Sequence, residues 1–505
     1  MATEEVDTLR RLNADVLLQV FEYLRPMRGL RPLSMSCRWI RGEVTPVLFR
    51  ACLVKPKKPI CAERFLPRSL WPHVLSLSLI DNCPDLIAMR DPEFRIPQEL
   101  RFTNDPLLCG IMVPAFLATT LRAMPRLRSV CLAFFCREIH GMGWDTLAAI
   151  LSTPQLRHFT LAVALFSPRQ NPTPMDVKLL APITTFRYLQ TALRAELRDY
   201  PSQETALGLV VGALRDTLEC LQLPSEVTPF GTLAGNLWPR LTQLHLLGEV
   251  NPTTDLHAPL VTLLAGMPSL RVLRLDFALP NGVDRKVLQL WPENYEAQLP
   301  WPQLDDLTVS FPSPGDQIYS YLPQSLQRLS LRCTPHHFFR LRNPYRFPFT
   351  HSPILRASEM LEILTKIAAP RLQYLQLEYC ADAAEDDLML CVSQRFLRLT
   401  FLEIHRYSPR DGGCDTVSSI ALHLAKLGNL DTLRVYLEHE DGGALYDSTP
   451  IRPNAALLAS RLPGLKMWLL QEDGHNAAWV PIGPTTTPNV VQMGDEKVMM
   501  FPFEG

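Results

Sequence analysis

The residues that could do catalytic chemistry in this sequence are few and isolated. Cys131 and Cys136 are candidate nucleophiles, but the sequence places no histidine or acid where it would activate either thiol. His336 and His337 are adjacent, with no further ligand at helical spacing, a pattern that seldom makes a metal site. No glycine-rich phosphate-binding loop is present in the sequence. We therefore expect no catalytic residue, no metal and no cofactor.

A proline-rich segment at residues 334–353 contains side chains that are suited to binding rather than to catalysis. Its aromatic and basic residues include Phe338, Phe339, Arg340, Arg342, Tyr345 and Arg346. Arginines in such a setting can recognise an acidic or phosphorylated segment through paired hydrogen bonds, which makes the segment a candidate client-binding loop. The same aromatic rings could stack on nucleic acid bases, or could simply anchor a long loop. These alternatives stay open at the level of the sequence.

An acidic cluster, Glu385, Asp386 and Asp387, stands at the expected start of a helix. Negative charge is favourable at a helix N-terminus because it compensates the helix dipole. We interpret the cluster in that way, without a binding role.

Composition excludes several classes of function. The 505 residues are 47% hydrophobic and 20% charged with a formal net charge of −1, so nucleic acid is not an expected partner. The longest uncharged apolar stretch, residues 106–121, is shorter than the ~20 residues of a membrane-spanning helix, and no membrane association is expected. The 12 cysteines are scattered singly, and the N-terminus is acidic and polar. Both features predict a cytoplasmic or nuclear protein with reduced thiols.

One short pattern recurs along most of the chain and dominates its organisation. It reads as an apolar residue, two variable residues, an apolar residue, one variable residue and a final apolar residue. Its eleven copies are VLSLSL, LRSVCL, LRHFTL, LECLQL, LTQLHL, LRVLRL, LDDLTV, LQRLSL, LQYLQL, LTFLEI and LDTLRV, beginning at Val74, Leu127, Leu156, Leu218, Leu241, Leu270, Leu304, Leu326, Leu372, Leu399 and Leu430. The period of two at the end of each copy predicts a short strand with its apolar side chains on one face.

A helix precedes several of these strands. Segments such as DTLAAILSTPQLRHFTL carry helical apolar spacing and then a proline that stops the helix before the strand begins. Each such unit exposes an apolar face that only a neighbouring unit can bury, so the pattern predicts a solenoid with parallel strands inside and helices outside. The long interval between Leu156 and Leu218 predicts a further, degenerate copy near Phe186.

The first fifty residues form a different, all-helical unit. Asn13 is a favourable helix cap and Leu12 can close a hydrophobic staple on Leu17, which predicts a helix over residues 14–23. A second short helix is expected from about Gly29, and a third from about Cys37 until Pro46 halts it. About forty residues bury too little surface to be stable alone, so the unit needs a partner protein or serves as the N-terminal cap of the repeats.

This helical unit resembles an F-box. The residues that carry the resemblance are Leu12, Val16, Leu17, Val20, Phe21, Leu24, Leu30, Leu33, Ser36, Cys37, Arg38, Trp39, Leu48 and Phe49, and Asn13 stands where the family usually has proline. The recurring strand pattern resembles the leucine-rich repeat over roughly residues 70–470. Only Asn82 and Cys380 match the family's turn-supporting Asn or Cys, so the repeats are degenerate. The combination is similar to fungal-type F-box proteins with leucine-rich repeats.

The resemblance implies an α/β fold class, with a small three-helix F-box followed by an irregular leucine-rich-repeat solenoid. The expected division is an F-box-like domain at residues 8–52, a linker at 53–69, the solenoid at 70–474 and a C-terminal cap or tail at 475–505. The implied function is that of the substrate-recognition subunit of an SCF-type ubiquitin ligase. Such a subunit is not an enzyme: its F-box docks a Skp-family adaptor and, through it, cullin and RING subunits, while its repeats bind a client protein. The alternative is a scaffold protein that works outside any ligase.

The resemblance also implies residue roles. The expected adaptor-binding residues are Leu12, Val16, Leu17, Val20, Phe21, Leu24, Leu30 and Leu33. The expected core of the F-box consists of Cys37, Trp39 and Phe49.

Overall fold

A computed structural model describes most of the chain. The described residues are 12–24, 29–56, 58–81, 110–134, 143–162, 166, 177–189, 201–249, 258–280, 282–285, 289–293, 295, 298–334, 336–337, 350–351, 353–408, 416–437, 458, 460–473, 476–482 and 497–498. They form two compact units, unit 1 (Met1–Leu214) and unit 2 (Arg215–Gly505).

Unit 1 begins with three helices and continues as alternating strands and helices. The helices are α1 (Ala14–Leu24), α2 (Leu30–Ser34) and α3 (Arg38–Leu48). Then follow β1 (Ala51–Val54), 3-10 helices at Ala62–Arg64 and Arg68–His73, β2 (Ser76–Asp81), α4 (Pro114–Arg122), β3 (Ser129–Phe134), α5 (Trp144–Leu151), β4 (His158–Ala162), a 3-10 helix at Val177–Leu179, β5 (Thr185–Leu189) and α6 (Pro201–Leu214). The strands β1 to β5 pair in parallel, each with the next.

Unit 2 repeats the same strand and helix alternation. Its elements are β6 (Cys220–Pro224), a 3-10 helix at Ser225–Val227, α7 (Phe230–Ala234), β7 (Gln243–Glu249), α8 (Leu260–Leu263), β8 (Val272–Pro280), β9 (Asp306–Val309), α9 (Ile318–Tyr321), β10 (Arg328–Leu331), β11 (Thr350–His351), β12 (Leu355–Arg356), α10 (Ala357–Lys366), β13 (Tyr374–Cys380), α11 (Glu385–Arg395), β14 (Phe401–Tyr407), α12 (Thr416–Leu424), β15 (Thr432–Leu437), β16 (Lys466–Asp473), β17 (Asn476–Ile482) and β18 (Lys497–Val498). None of the helices described is long and apolar enough to cross a membrane.

Most strands of unit 2 form one parallel ladder, from β6 through β10 and then β13 to β16. The ladder aligns the apolar positions of the repeat pattern, so that Leu221, Leu244, Leu273, Leu307, Leu329, Leu375, Leu402, Leu433 and Met467 are partners in register. All of them are buried, together with helix residues such as Met360 and Leu388. The predicted α/β class and the parallel, leucine-rich-repeat-like strands are therefore present.

The structure also adds to the predicted repeats. The degenerate copy expected near Phe186 exists as β5, with Phe186 and Tyr188 buried. The sequence pattern missed β16, because Gly464 stands where the other copies begin with an apolar residue. The backbone of Gly464 has φ +85°, in the left-handed region that favours glycine, so the turn into this strand requires it.

One sequence prediction in the helical unit is wrong. Pro46 was expected to end the third helix, but α3 continues through Pro46 to Leu48. Pro46 lies in the last turn of α3, so its missing N–H removes a single intrahelical hydrogen bond. That bond would otherwise run to the carbonyl of Gly42, four residues earlier.

The predicted domain limits remain a prediction, but the structure describes strands and a short helix near some of them. Within residues 53–69, part of β1 pairs with β2, and a short 3-10 helix follows. After residue 474, β17 runs antiparallel to β16, and β18 runs antiparallel to β17.

The close packing of successive repeats can be tested at Gly266. A Cβ atom there would overlap the carbonyl oxygen of Asn236 in the preceding repeat, and the Gly266 carbonyl accepts the Trp238 N–H at 2.8 Å. We expect Gly266→Ala to lower the free energy of unfolding by about 1–3 kcal/mol in urea titrations, because the backbones must move apart. Gly231→Ala is the matched control, since no atom lies within 4 Å of its Cβ position. Equal stability of the two variants would contradict the packing.

Candidate functional site

The helical unit has an apolar core of its own. Leu17, Phe21, Leu30, Ile40, Val44 and Val47 form its buried cluster, and Leu24, Leu33, Cys37, Trp39 and Leu48 pack against the cluster half-buried. Polar contacts fix the helix ends: the Asp15 N–H donates to the Asn13 side chain at 3.1 Å, and the Ile40 N–H donates to the Cys37 thiol at 3.5 Å. The unit is thus a small three-helix body with a single core.

A second apolar surface of α1 stays uncovered. Leu12, Val16, Val20 and Tyr23 are 39%, 43%, 43% and 68% exposed. Val16, Val20 and Tyr23 are spaced by four and three residues, which places them along one side of α1, and Leu12 lies just before the helix. We call these four residues the exposed stripe. An uncovered apolar row on a helix whose other face is buried is typical of a surface that binds a partner.

The residues predicted from the sequence to bind an adaptor fall into an exposed group and a buried or half-buried group. Leu12, Val16 and Val20 belong to the exposed stripe, whereas Leu17, Phe21 and Leu30 lie inside the core and Leu24 and Leu33 lie half-buried at its edge. Tyr23 was missed, although its position three residues after Val20 signals the same helix side. Of the predicted F-box core, Cys37 and Trp39 pack on the cluster, and Phe49 is half-buried at the end of α3.

The predicted client-binding loop falls outside the described residues. This holds for Phe338, Phe339, Arg340, Arg342, Tyr345 and Arg346, and also for Cys136. The structure does describe three residues that precede this loop in the sequence, Cys333, His336 and His337, and they contact β13 and β14.

Unit 2 places charged and aromatic side chains on the strand face opposite the leucines. Because side chains alternate along a strand, the residues between the buried leucines point to this other face. We call it the polar face: its chemistry comes from Arg274, Asp276, Asp306, Arg328, Ser330, Arg332, Tyr374, Gln376, Glu378, Phe401, Glu403, His405, Arg434 and Tyr436. On the corresponding face of unit 1, the central positions of β2, β3 and β4 are Ser78, Cys131 and Thr160, and the partner of Thr160 in β5 is Arg187.

Two buried carboxylates organise the polar face. Glu378 accepts the N–H groups of Cys333 and His337 and the Tyr407 hydroxyl, each at 2.8 Å, and His336 at 3.2 Å. Glu403 accepts Arg332, His405 at 2.9 Å and Gln376 at 3.0 Å. Burial by itself would raise the pKa of each carboxyl group, but their partners outweigh it. His336 and the hydrogen bonds hold the pKa of Glu378 at about 2, and chiefly Arg332 and His405 lower that of Glu403. Both are therefore charged at neutral pH.

The acidic cluster at the start of α11 has a role that the sequence did not reveal. Glu385 is buried and accepts Arg406 at 2.8 Å and the Tyr379 hydroxyl at 3.1 Å. It therefore ties α11 to β13 and β14, in addition to any interaction with the helix dipole.

One group of described residues has the composition of a metal site. The ligand atoms of His336, Glu378 and His405 lie within 4.8 Å of one another. However, both oxygens of Glu378 are occupied by hydrogen bonds, and the two imidazole rings stack at 4.6 Å with 20° between their planes. Stacked rings direct their in-plane lone pairs side by side, so the group fits hydrogen bonding and fits a metal poorly. The thiol of Cys131 has its pKa raised by burial, which makes it a weak nucleophile.

Comparison with known proteins gives little beyond this geometry. No protein-family model matches the chain, and no curated protein matches it. The chain is similar to a solved structure described as the crystal structure of the Rad7 and Elc1 complex in yeast, with 13% identity and a TM-score of 0.38, over 92% of this chain and 95% of that chain. At that TM-score the similarity does not support any conclusion about the function of this chain.

The Glu378 network makes stability dependent on pH. Its folded pKa lies below the ordinary value of 4.5, so its stabilising contribution is complete above pH 4.5 and is lost as the pH falls towards 2. We expect Glu378→Gln to cost about 3 kcal/mol at pH 7, because an amide cannot accept all four donors, and the difference from wild type should shrink by pH 3 in urea titrations.

The control for this variant is Glu362→Gln, at an exposed carboxylate paired with Lys366 at 2.9 Å. Its cost should stay below about 0.5 kcal/mol at both pH values. A Glu378→Gln penalty that is independent of pH would contradict the assigned ionisation.

Proposed function

We propose that this protein is the non-catalytic substrate-recognition subunit of an SCF-type ubiquitin ligase. In this proposal the three-helix unit is an F-box that docks a Skp-family adaptor, and the repeats bind a client protein. The observation that carries the proposal is the exposed stripe of α1 on a helical unit whose core is already complete. The F-box-like residue pattern in the same helices supports the choice of an adaptor as the partner.

The stripe favours a protein partner for a physical reason. Leu17 and Phe21 already satisfy the internal packing of the unit, so the exposed stripe contributes nothing to its core. Removing such apolar surface from water is worth about 25 cal/mol per Å², and an amphipathic helix gains this by lying in a hydrophobic groove of another chain. The alternative of an N-terminal cap on the repeats leaves Val16 and Val20 in water, whereas an adaptor would cover them.

The proposed mechanism needs no chemistry from this chain. Holding a client near the conjugating enzyme of an adaptor, cullin and RING assembly makes ubiquitin transfer nearly intramolecular, which raises its rate through effective concentration. We place client recognition on the polar face of unit 2, where charged and aromatic side chains lie on several neighbouring strands. The proposal carries with it a cytoplasmic or nuclear location, because such ligases work there.

The adaptor contact is tested by charge insertion in the exposed stripe. We expect Val16→Asp with Val20→Asp to reduce co-purification of the Skp-family adaptor at least tenfold, since the carboxylates would be desolvated in an apolar groove. Leu18→Asp is the matched control: Leu18 is 48% exposed and lies about 200° around the helix from Val16. Measuring the far-ultraviolet circular dichroism of all variants checks that the helices persist.

Two outcomes of this experiment would decide against the proposal. Equal loss of adaptor in the Leu18→Asp control would mean that the stripe is not the contact. Recovery of the adaptor without cullin and RING subunits would favour a scaffold that works outside a ligase.

A further inference from the structure

A cavity of about 160 Å³ lies on the polar face of unit 2, among β8, β9, β10 and β13. The lining residues that matter for its chemistry are Arg274, Asp276, Asp306, Arg328, Ser330 and Arg332. Arg328 and Arg332 stand two residues before and after Ser330, so all three side chains leave the same side of the chain. Ser330 therefore lines the cavity together with the two arginines that flank it along the chain.

The lining of this cavity carries more positive than negative charge. The carboxylate of Asp306 lies 2.8 Å from Arg274 and 3.3 Å from Arg328, and Asp276 is paired with His245 at 2.6 Å. The lining therefore holds three arginines and two aspartates. Glu403 accepts Arg332 and lies 3.9 Å from Arg434, and the charged Glu378 also interacts electrostatically with Arg332. With these neighbours included, four arginines face four carboxylates.

Hydrogen-bond donors exceed acceptors as well. Nε of Arg274, Nε of Arg332 and the hydroxyl of Ser330 are buried and have no hydrogen-bond partner among the described residues. Ser330 is only 5% exposed. Arginine offers five N–H donors and no acceptor, so the missing groups must be acceptors supplied from elsewhere. Leaving such donors unsatisfied is costly, which is a reason to expect a ligand.

We propose that this cavity binds the carboxylate of an aspartate or glutamate side chain in an extended segment of the client protein. A carboxylate supplies two acceptor oxygens for the unsatisfied donors and only a single negative charge. A dianionic phosphate would bring a second negative charge close to Asp276 and Asp306. The inference rests on the proposed function only in naming the bound molecule as the client.

The surroundings of the cavity fit a peptide that continues past the carboxylate. Tyr374 stacks on Phe401 with ring centroids 4.1 Å apart and 6° between the planes, and the Arg328 guanidinium lies 3.8 Å above the Tyr374 ring. Both rings are half-buried, and the Arg434 guanidinium lies 5.4 Å from the centroid of the Phe401 ring, so an arginine flanks the stacked pair on each side. Aromatic and arginine residues of this kind are enriched in protein interfaces.

An internal carboxylate gives the first test, which needs no knowledge of the client. Ser330→Asp would add a carboxylate to the lining, close to Arg328 and Arg332 in the chain, whereas Ser330→Asn has nearly the same shape without the charge. We expect the Tm of Ser330→Asp to exceed that of Ser330→Asn by about 3 °C, with the difference reduced in 1 M salt. A lower or equal Tm for Ser330→Asp, including failure of that variant alone to fold, would overturn the proposal.

Peptide selection gives the second test. Three immobilised libraries carry glutamate, glutamine or phosphoserine at the centre and random residues elsewhere, and retention of the full chain is measured on each. We expect the wild-type chain to prefer the glutamate library over the glutamine library about tenfold. Arg328→Gln and Ser330→Asp should abolish this preference. Arg240→Gln, at an exposed arginine paired with Glu219, should keep it.

The outcomes separate this proposal from the proposed function. Equal retention on glutamate and glutamine, stronger retention on phosphoserine, or an unchanged preference in Arg328→Gln would overturn the carboxylate site. The Val16→Asp, Val20→Asp chain should still prefer glutamate, and Arg328→Gln should still bind the adaptor. Adaptor binding that survives Val16→Asp with Val20→Asp therefore counts against the proposed function alone, and a glutamate preference that survives Arg328→Gln counts against the carboxylate site alone.

Discussion

The register of the parallel ladder in unit 2 is the constraint on which its chemistry depends. The leucines of successive strands are partners in register, and each is fully buried against the helices. A slip of one residue would turn this apolar row to the opposite face, at a cost far larger than any single polar contact could recover. Burial of the leucines therefore fixes which residues meet on the other side.

The polar face shows what that alignment makes possible. Gln376, Glu403 and Arg434 lie on three strands and Arg332 directly follows β10. Arg332, Gln376 and Arg434 all meet the Glu403 carboxylate because these strands are held in register. Buried charges are expensive unless paired and hydrogen-bonded, and Glu378 and Glu403 meet that condition with several donors each. Around Ser330 the compensation is incomplete, because the Nε atoms of Arg274 and Arg332 and the Ser330 hydroxyl have no hydrogen-bond partner among the described residues. This contrast within one face marks the cavity as a place for a ligand.

In the helical unit, by contrast, the small number of residues limits the size of the apolar core. With a single apolar cluster of short helices, it can bury one side of α1 and leave the other in water. The separation of Phe21 from Val16 around the same helix gives the unit both a stable interior and a free apolar surface. A protein that joins two partners needs this independence, since the surface that binds one is not needed to keep the unit folded.

The sequence by itself determined the periodic parts of this protein. The eleven strand copies, the degenerate copy at Phe186 and the helical start at Asn13 follow from local spacing and capping, which need no distant contact. It could not separate Leu17 from Val16 as buried and exposed, since both are apolar neighbours on a helix and only packing against α2 and α3 distinguishes them. Nor could it reveal the pairing of Glu385 with Arg406, or the meeting of Arg274 with Asp306. Those residues are distant in sequence, and parallel strands bring them together only after the apolar ladder has fixed the register.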